Sequence, residues 1–474
     1  MAFNSYEYIF FFLPLALLGY FTLLHWKART LARCFLVAAS LCFYAWWNQA
    51  FLGLFLGSVA FNYLFSRILW FRHQKAGAKL WLTLGIAGNL LFLGFFKYTN
   101  FCLESINAAA GTHFHLLNIA LPLAISFYTF QQLAFLVDVY RGQVKKYTLL
   151  DYIVFVTFFP QLISGPITRQ DETLGQFRDP QRQCFSSHAF AAGIYQFVIG
   201  LGKKVLVADT LAQWVNLGFA SPSTLIMPEA WMTSLAYTLQ IYYDFSGYTD
   251  MALGTARMFH IKLPINFDSP YKAVNIQEFW RRWHMTLSRL LRDDLYIPLG
   301  GSRRGAVRTA LNTLITFLLC GLWHGAGWTF VIWGGLHGIA LVVCRAFKAL
   351  GGKLPNWLGW TLTMLFVNVA WVFFRAPDLD TAFQLLHAMT DVKTLVLPAE
   401  WITLPALCST DIVFGILAAV CILLAGVFTL VFPNSNQMTE DFVPRTESVA
   451  FIAIIAAVSM VQMYGVNEFI YFNF

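Results

Sequence analysis

The stretch NTLITFLLCGLWHGAGWTFVIWGGLHG, residues 312–338, decides the fold class of this chain. It contains no Asp, Glu, Lys or Arg, and it is longer than the ~20 apolar residues that a helix needs to cross a bilayer. Only two ionisable side chains interrupt it, those of His324 and His337. Because similar apolar runs recur along the chain, the sequence predicts an all-α integral membrane protein with a multi-pass fold.

The composition excludes several other classes of protein. Of the 474 residues, 58% are hydrophobic and 12% are charged, and the mean hydropathy is +0.60. Ordinary soluble domains carry about 25% charged residues, so a soluble enzyme or a disordered chain is excluded. The 8 cysteines are scattered without the spacing of metal ligands or of a disulfide framework, and we predict no metal site.

The charged residues predict an orientation in the membrane. Lys and Arg number 32 against 24 Asp and Glu, a net charge of +8. The basic residues cluster in loops near 27–33, 67–79, 141–146 and 261–309. By the positive-inside rule these loops face the cytoplasm, and we call their side of the protein the basic face. The surplus of positive charge is thus explained without a nucleic-acid partner.

Apolar runs divide the chain into roughly 11–13 spanning or re-entrant segments. They lie near residues 6–24, 31–48, 50–71, 80–97, 117–139, 150–168, 188–215, 230–258, 310–327, 329–347, 356–375, 411–432 and 447–466. The run 150–168 contains Pro160, Gly165 and Pro166 and is predicted to be a broken or re-entrant element. Such backbone is tolerated only where it is buried in protein or lines a water-filled cavity.

We predict a single membrane domain over residues 1–474. Residues 1–97 would form peripheral N-terminal spans, residues 98–350 the catalytic core, and residues 351–474 the C-terminal spans.

Within the predicted core, residues 278–295 have the periodicity of one amphipathic helix at the membrane surface. Its apolar face comprises Phe279, Trp280, Trp283, Leu287, Leu290, Leu291 and Leu295. Its charged face comprises Glu278, Arg281, Arg282, Arg289, Arg292 and Asp293. The four arginines either contact lipid headgroups or bind a phosphate-bearing acyl donor. His284 and Asp294 fall on the apolar face, where each is either a hydrogen-bonded interior residue or part of a site.

His324 is the strongest candidate for chemistry. A helix that enters from the basic loop near Thr309 would carry it about 22 Å inward, past the bilayer midplane. An ionisable residue at that depth is costly and is a functional candidate, and imidazole can accept a proton from a hydroxyl near neutral pH. The alternative is a histidine that only packs between helices. His337 would lie on a roughly opposite face of a continuous helix and ranks lower.

The segment YYDFSGYTDMALG, residues 242–254, places Asp244 and Asp250 in apolar surroundings. These carboxylates could orient a histidine or line a polar tunnel, and a purely structural hydrogen-bonded pair is an equally open interpretation. The chain has no Walker A, GxGxxG, HExxH or GxSxG motif, so nucleotide hydrolysis, zinc proteolysis and serine hydrolysis have no support.

Two longer blocks make the sequence resemble a known family. Residues 267–305, which include WRRWH, and residues 312–338, which include LWHG, strongly resemble the membrane-bound O-acyltransferase family, in particular its bacterial alginate O-acetylation branch. Supporting similarity lies in residues 121–142, 158–169, 241–254 and the closing FIYFNF.

The resemblance implies a ring of helices around a central tunnel. By this resemblance His324 would be the essential catalytic residue and His284 the second signature histidine. From the residues themselves we predict supporting roles for Trp323, Asp244, Asp250 and Asp294. The donor, acetyl-CoA, would reach the tunnel from the cytoplasm and meet the four arginines, and no cofactor would be bound permanently.

The resemblance further implies an inner-membrane O-acetyltransferase that acts for an exported polysaccharide such as alginate or cellulose. Its partners would be a periplasmic acetyltransferase and membrane lipid. Peptidoglycan O-acetylation, teichoic-acid D-alanylation and a transporter or flippase are the alternatives, and a scaffold for a secretion complex is weaker.

Overall fold

The computed structural model describes residues 1–395, 410–463 and 469–470, and all regular secondary structure within them is helical. The first helices are α1 (Leu13–His25), α2 (Arg29–Ala45), α3 (Gln49–Phe71), α4 (Ala78–Ala110) and α5 (Ile125–Tyr140). They are followed by α6 (Leu149–Thr157), α7 (Phe159–Leu162), α8 (Gln170–Arg178), α9 (Ser187–Gly202), α10 (Asp209–Ala220) and α11 (Met227–Met258). A π-helical turn, Lys203–Ala208, joins α9 to α10.

The second half continues the helical pattern. It contains α12 (Ile276–Arg282), α13 (Met285–Leu291), α14 (Ala306–His324), α15 (Trp328–Ala349), α16 (Asn356–Arg375) and α17 (Leu379–Thr390). The last helices are α18 (Thr410–Val431), α19 (Ser435–Glu440) and α20 (Thr446–Gln462). The end of the predicted 447–466 segment, Cys408 and most of the FIYFNF motif lie outside the described residues.

Seven helical stretches of the described chain are long and apolar enough to cross a membrane. They are Tyr8–His25, Gln49–Phe71, Ala78–Ala110, Ser187–Ala220, Ala306–His324, Trp328–Ala349 and Asn356–Arg375. The multi-pass all-α membrane class is therefore confirmed. Several other predicted segments are shorter, such as α2, α5 and α6, and the total of roughly 11–13 stays a prediction.

The segment 150–168 is broken, as its prolines and glycine predicted. α6 ends before Phe159, whose amide donates to the hydroxyl of Ser40 at 3.2 Å, and the carbonyl of Ile163 accepts a hydrogen bond from Tyr248. Almost every residue of the segment is buried. Neighbouring helices therefore satisfy the irregular backbone, which is the condition for such a structure at membrane depth.

α9 and α11 pack against each other through glycines at the centre of the protein. A Cβ atom on Gly193 would lie 2.7 Å from the carbonyl oxygen of Gly254, and one on Gly200 would lie 2.6 Å from that of Gly247. Only glycine permits this approach. The contact holds the aspartates of α11 beside the π-helical turn after α9.

The continuous helix predicted over residues 278–295 is wrong in one respect, because the chain leaves helical geometry at His284, which has a φ of 42°. Asn266 stabilises the break between α12 and α13. Its carbonyl accepts from the amide of Met285 at 2.9 Å, and its side-chain oxygen accepts from the hydroxyl of Thr286 at 2.7 Å. These bonds come from a distant loop, so the periodicity of the helix itself gave no sign of them.

The predicted division into two faces is nevertheless present on both sides of the break. The buried apolar side chains are those of Phe279, Trp280, Trp283, Leu287 and Leu291. Arg281 and Arg292 are exposed. The amphipathic pattern therefore reports correctly which side chains face the protein interior.

Candidate active site

His324 is the last residue of α14, about 27 Å along the helix from Ala306 at the basic face. The position past the bilayer midplane stays a prediction. The side chain is buried. Its imidazole lies among aromatic rings, with centroid distances of 4.7 Å to Trp323, 5.0 Å to Trp333 and 5.2 Å to Phe374.

The tight hairpin of α14 and α15 brings Trp333 to His324. A side chain on Gly321 would overlap the carbonyl of Phe330, and a side chain on Gly334 would overlap the backbone of α14. The two helices can therefore approach this closely only with glycine at both positions. The glycines around LWHG thus serve the packing that surrounds the histidine.

His284 is completely buried at the break between α12 and α13. Its Nδ1 lies 3.3 Å from the side-chain oxygen of Asn266, and its Nε2 has no hydrogen-bond partner among the described residues. Burial lowers the pKa of His284 to about 3, so the ring is neutral near pH 7. The ring packs edge-on against Phe245 at 4.9 Å.

Trp323 lies between the two histidines. Its ring centroid is 6.1 Å from that of His284 and 4.7 Å from that of His324. Phe127 and Phe130 of α5 pack against it at 5.3 Å and 5.5 Å. The structure therefore brings together three of the predicted site residues, and α5 fixes the ring between them.

Asp244 and Asp250 are held elsewhere. Asp250 pairs with Lys203 at 2.7 Å, and Asp244 pairs with Lys204 at 2.7 Å and accepts the amide of Ile470 at 2.9 Å. No described polar contact joins either aspartate to a histidine. The geometry favours the structural interpretation that the sequence had left open.

Asp294 belongs to an ion-pair network on the basic face. It pairs with Arg141 at 2.7 Å and with Arg169 at 2.8 Å, and Arg169 also pairs with Asp138 at 2.7 Å. These contacts tie α5 to the segment that follows α7. The described polar contacts of Asp294 are therefore with arginines, and the structure does not bring it to the histidines.

Two of the four predicted donor-binding arginines are paired with glutamates within the protein. Arg289 contacts Glu172 through two hydrogen bonds, of 2.5 Å and 2.9 Å, and Arg282 contacts Glu278 at 2.8 Å. Both guanidinium groups are largely committed to these carboxylates. The Arg289–Glu172 pair joins α13 to α8, whereas the Arg282–Glu278 pair lies within α12.

Arg281 and Arg292 instead line a cavity of about 640 Å³, which we call the basic-side cavity. Arg281 is free of ion pairs within the described part of the chain, whereas Arg292 pairs with Asp293 at 2.7 Å. Arg345 of α15 also lines the cavity and was not predicted. Other lining residues include Gln277, Trp280, Tyr296, Ala306 and Phe317.

A second cavity, of about 60 Å³, lies at the other end of α14, and we call it the His324 cavity. It is lined by Trp47, Lys97, Trp323, His324 and residues 121–127. Because Trp47 follows α2 and residues 121–127 lead into α5 away from the basic loops, this cavity lies on the opposite side of the protein.

Aromatic side chains separate the two cavities. Trp280 at the basic-side cavity packs on Phe317 at 4.8 Å and on Trp333 at 5.9 Å, and Trp333 packs on His324 at 5.0 Å. These two cavities are separate, with Trp280 and Trp333 between them, and the central tunnel stays a prediction. His324 lies at the end of this aromatic layer farther from the basic face.

Two further residues belong to this region: Lys97, which the sequence analysis did not single out, and His337, which it ranked below His324. Lys97 is buried at the end of the predicted 80–97 span and lines the His324 cavity. His337 accepts a hydrogen bond on Nδ1 from Trp280 at 3.2 Å and packs on Trp333 at 4.8 Å. An isolated lysine at the end of an apolar run was the available signal for the first.

Similarity to known proteins agrees with this geometry. Residues 20–377 match the membrane-bound O-acyltransferase family, a range that contains both histidines and both cavities. The chain belongs to that family. It is therefore an O-acyltransferase and a multi-pass membrane protein. Within the described residues no group of three or more His, Cys, Asp or Glu is arranged to hold a metal ion.

Two relatives with named activities cover most of the chain, and a third covers about half of it. A peptidoglycan O-acetyltransferase from Helicobacter pylori is 46% identical over 83% of this chain and 80% of its own length. A probable alginate O-acetylase, AlgI, from Pseudomonas aeruginosa is 42% identical over 83% of this chain and 76% of its own. A teichoic acid D-alanyltransferase from Streptococcus thermophilus is 30% identical, over 48% of this chain and 57% of its own.

Proposed function

We propose that the protein is an O-acetyltransferase of the inner membrane that draws acetyl groups from acetyl-CoA at the basic face. The acetyl group would be made available on the opposite side for O-acetylation of an exported polysaccharide. The acetyl specificity is supported by the relatives, since those at about 40% identity and above carry O-acetylation in their names. The observation that carries the proposal is the position of His324 between an aromatic layer and a separate cavity.

His324 would act directly on the acetyl transfer. As general base it would take the proton of an acceptor hydroxyl while the oxygen attacks the thioester carbonyl. The C–S bond then breaks, and coenzyme A leaves as a thiolate that takes up a proton. In the second form, which stays open, the imidazole nitrogen first carries the acetyl group and passes it to the acceptor. His284 would support this step through Trp323.

The basic-side cavity would receive the donor. The guanidinium groups of Arg281, Arg292 and Arg345 line it, and arginine forms strong charge-assisted hydrogen bonds with phosphate. Its volume of about 640 Å³ lies within the range of small-molecule sites. Arg282 and Arg289 are paired with glutamates and are not among the residues that line this cavity.

The acceptor would be reached from the other side, with a periplasmic acetyltransferase as partner for the final transfer. Alginate and cellulose are candidate polysaccharides, and the 46% identity to a peptidoglycan O-acetyltransferase favours peptidoglycan as a second candidate. The acetyl-ester content of each polysaccharide in a strain that lacks this protein would decide among them. Loss of ester from one polymer names the acceptor, and unchanged esters in every polymer would contradict the proposal.

An acetyltransferase and a transporter differ in what they do to the thioester of acetyl-CoA. Inverted membrane vesicles, whose cytoplasmic side faces the medium, are given acetyl-CoA, and free thiol is measured with a colorimetric reagent. An O-acetyltransferase releases free coenzyme A when acceptor is present. A transporter or flippase would move an intact solute and release none above vesicles without the protein.

A further inference from the structure

The end of α14, where His324 lies, is held by side chains from α4. The last four carbonyls of an α-helix have no partner inside the helix and must find one elsewhere. The carbonyl of Gly321 accepts from the amide of Gly325 at 3.3 Å. The carbonyl of Leu322 accepts from the hydroxyl of Tyr98 at 2.7 Å. These bonds leave two carbonyls that still need a partner, those of Trp323 and His324.

Lys97 satisfies both of them. Its ammonium donates to the carbonyl of Trp323 at 2.6 Å and to the carbonyl of His324 at 3.1 Å. It also donates to the hydroxyl of Ser126 at 3.2 Å, so all three of its N–H donors have a partner. Only 8% of the lysine is exposed. This residue from α4 therefore completes the C-terminal cap of α14.

The charge of the cap suits its position. The carbonyls at the C-terminus of a helix carry partial negative charge, which a cation stabilises, and the effect is larger in a buried site. Because Lys97 binds the carbonyl of His324 itself, any movement of the ammonium moves the backbone that bears the imidazole. Lys97 and His324 also line the same cavity.

We propose that Lys97 is a positioning residue of the acyl transfer: it fixes the backbone at the end of α14 and thereby the place of the His324 imidazole beside the His324 cavity. The inference rests on the proposed catalytic role of His324. A displacement of about 1 Å in a reacting group can lower a rate roughly 10²-fold, so a small movement of this helix end is sufficient.

The test compares two variants of Lys97 in inverted vesicles that contain the full chain and receive acetyl-CoA. Lys97→Met removes the donors and the charge, and Lys97→Arg keeps the charge. The matched control replaces both members of the buried Asn62–Asn89 pair by leucine, because Asn89 is a buried polar residue of the same helix that bonds only within the first spans. Rates are divided by the amount of folded protein in the monodisperse chromatographic peak.

We expect Lys97→Met to lower kcat roughly 10²-fold with KM for acetyl-CoA changed by about twofold or less. Lys97→Arg should recover about a tenth or more of the lost rate, because a guanidinium can donate to the same carbonyls. The asparagine control should keep kcat. A merely structural role would lower the amount of folded protein and leave kcat alone.

Lys97→Met with kcat within about threefold of the unsubstituted chain would overturn the inference, since a displacement of the imidazole costs far more. If Lys97→Met gives no folded protein, Lys97→Gln is measured in its place against the same limits. His324→Ala is included in the series. If His324→Ala is inactive while the lysine variants are active, only the inference on Lys97 fails. If His324→Ala is active, the proposed catalytic role fails.

Discussion

Two polar regions lie in the apolar interior, and they differ in what surrounds their ionisable groups. On α11, Asp244 and Asp250 are each paired with a lysine at 2.7 Å. Around the end of α14, the imidazoles of His284 and His324 lie among aromatic rings, and His324 lines a cavity. In the first region the carboxylates are held in ion pairs, although Lys203 lines a cavity of about 590 Å³. In the second region the histidine proposed for the chemistry lines a cavity itself.

This difference distinguishes polar residues that stabilise the structure from polar residues that can take part in chemistry. The charge of a buried carboxylate is compensated by a cation beside it, and the polar contacts of the carboxylate are then made within the protein. An imidazole in an aromatic surrounding can take part in proton transfer if substrate can reach it. Depth in the membrane alone does not distinguish these cases, because both regions carry ionisable groups among apolar ones.

The largest expected effect is that of His324→Ala. Removal of a general base or acyl carrier should lower the rate roughly 10²–10⁴-fold or more, and a complemented strain should lose acetyl ester from its polysaccharide. The measurement is ester content after mild alkaline hydrolysis, with the amount of protein checked by immunoblot. If His324→Ala keeps full acetylation at normal expression, His324 has no chemical role, and the two regions do not differ in the way described.

His284→Gln should have the next largest effect, with kcat lowered roughly tenfold to 10²-fold. The ring packs near Trp323 and its Nδ1 is held by Asn266, so its loss disturbs the neighbour of His324. His284→Asn serves as the comparison, because asparagine tolerates the positive φ of this position. An equal fall in kcat in both variants assigns the effect to the imidazole. An unchanged kcat in both would mean that His284 contributes only to packing.

Arg281→Ala should act on donor binding. We expect KM for acetyl-CoA to rise roughly tenfold with kcat nearly constant, since a charge-assisted hydrogen bond contributes about 1.5–3 kcal/mol. Arg289→Ala is the matched control on the neighbouring helix, because that guanidinium is bound to Glu172. Titration of acetyl-CoA in inverted vesicles gives both constants. A larger rise in KM for Arg289→Ala than for Arg281→Ala would contradict the assignment of the cavity.

Asp250→Asn should have the smallest effect on kcat and a clear effect on stability. Breaking the buried pair with Lys203 should lower the free energy of unfolding by about 3 kcal/mol, because an uncompensated charge is left inside. The double variant Asp250→Leu with Lys203→Met should recover most of the lost free energy of unfolding. Thermal unfolding in detergent checks the stability, and a fall in kcat as large as that of His284→Gln would place Asp250 in the site.

The sequence predicts the features that depend on local pattern. Long apolar runs give the multi-pass class, and the prolines and glycine of 150–168 give the broken segment. Helical rise gives the distance of His324 from the basic end of α14. Periodicity also gives which side of residues 278–295 is buried. Each of these follows from residues close together in the chain.

The features that the sequence misses depend on contacts between distant residues. The break at His284 requires Asn266, from a loop before α12. Asp250 is held in an ion pair by Lys203, which lies 47 positions earlier in the chain. Lys97 reaches the carbonyl of His324 across 227 positions, so a lysine at the end of a span gave no sign of its role.

The most direct test of the role of His324 follows the acetyl group across the membrane. Sealed inverted vesicles from cells that carry the full chain in place of their own copy receive acetyl-CoA with a radioactive acetyl group, and alkali-labile label in the lumen is counted. We predict luminal label with the unsubstituted chain and none above background with His324→Ala. Luminal label at the full rate with His324→Ala would contradict transfer through this histidine.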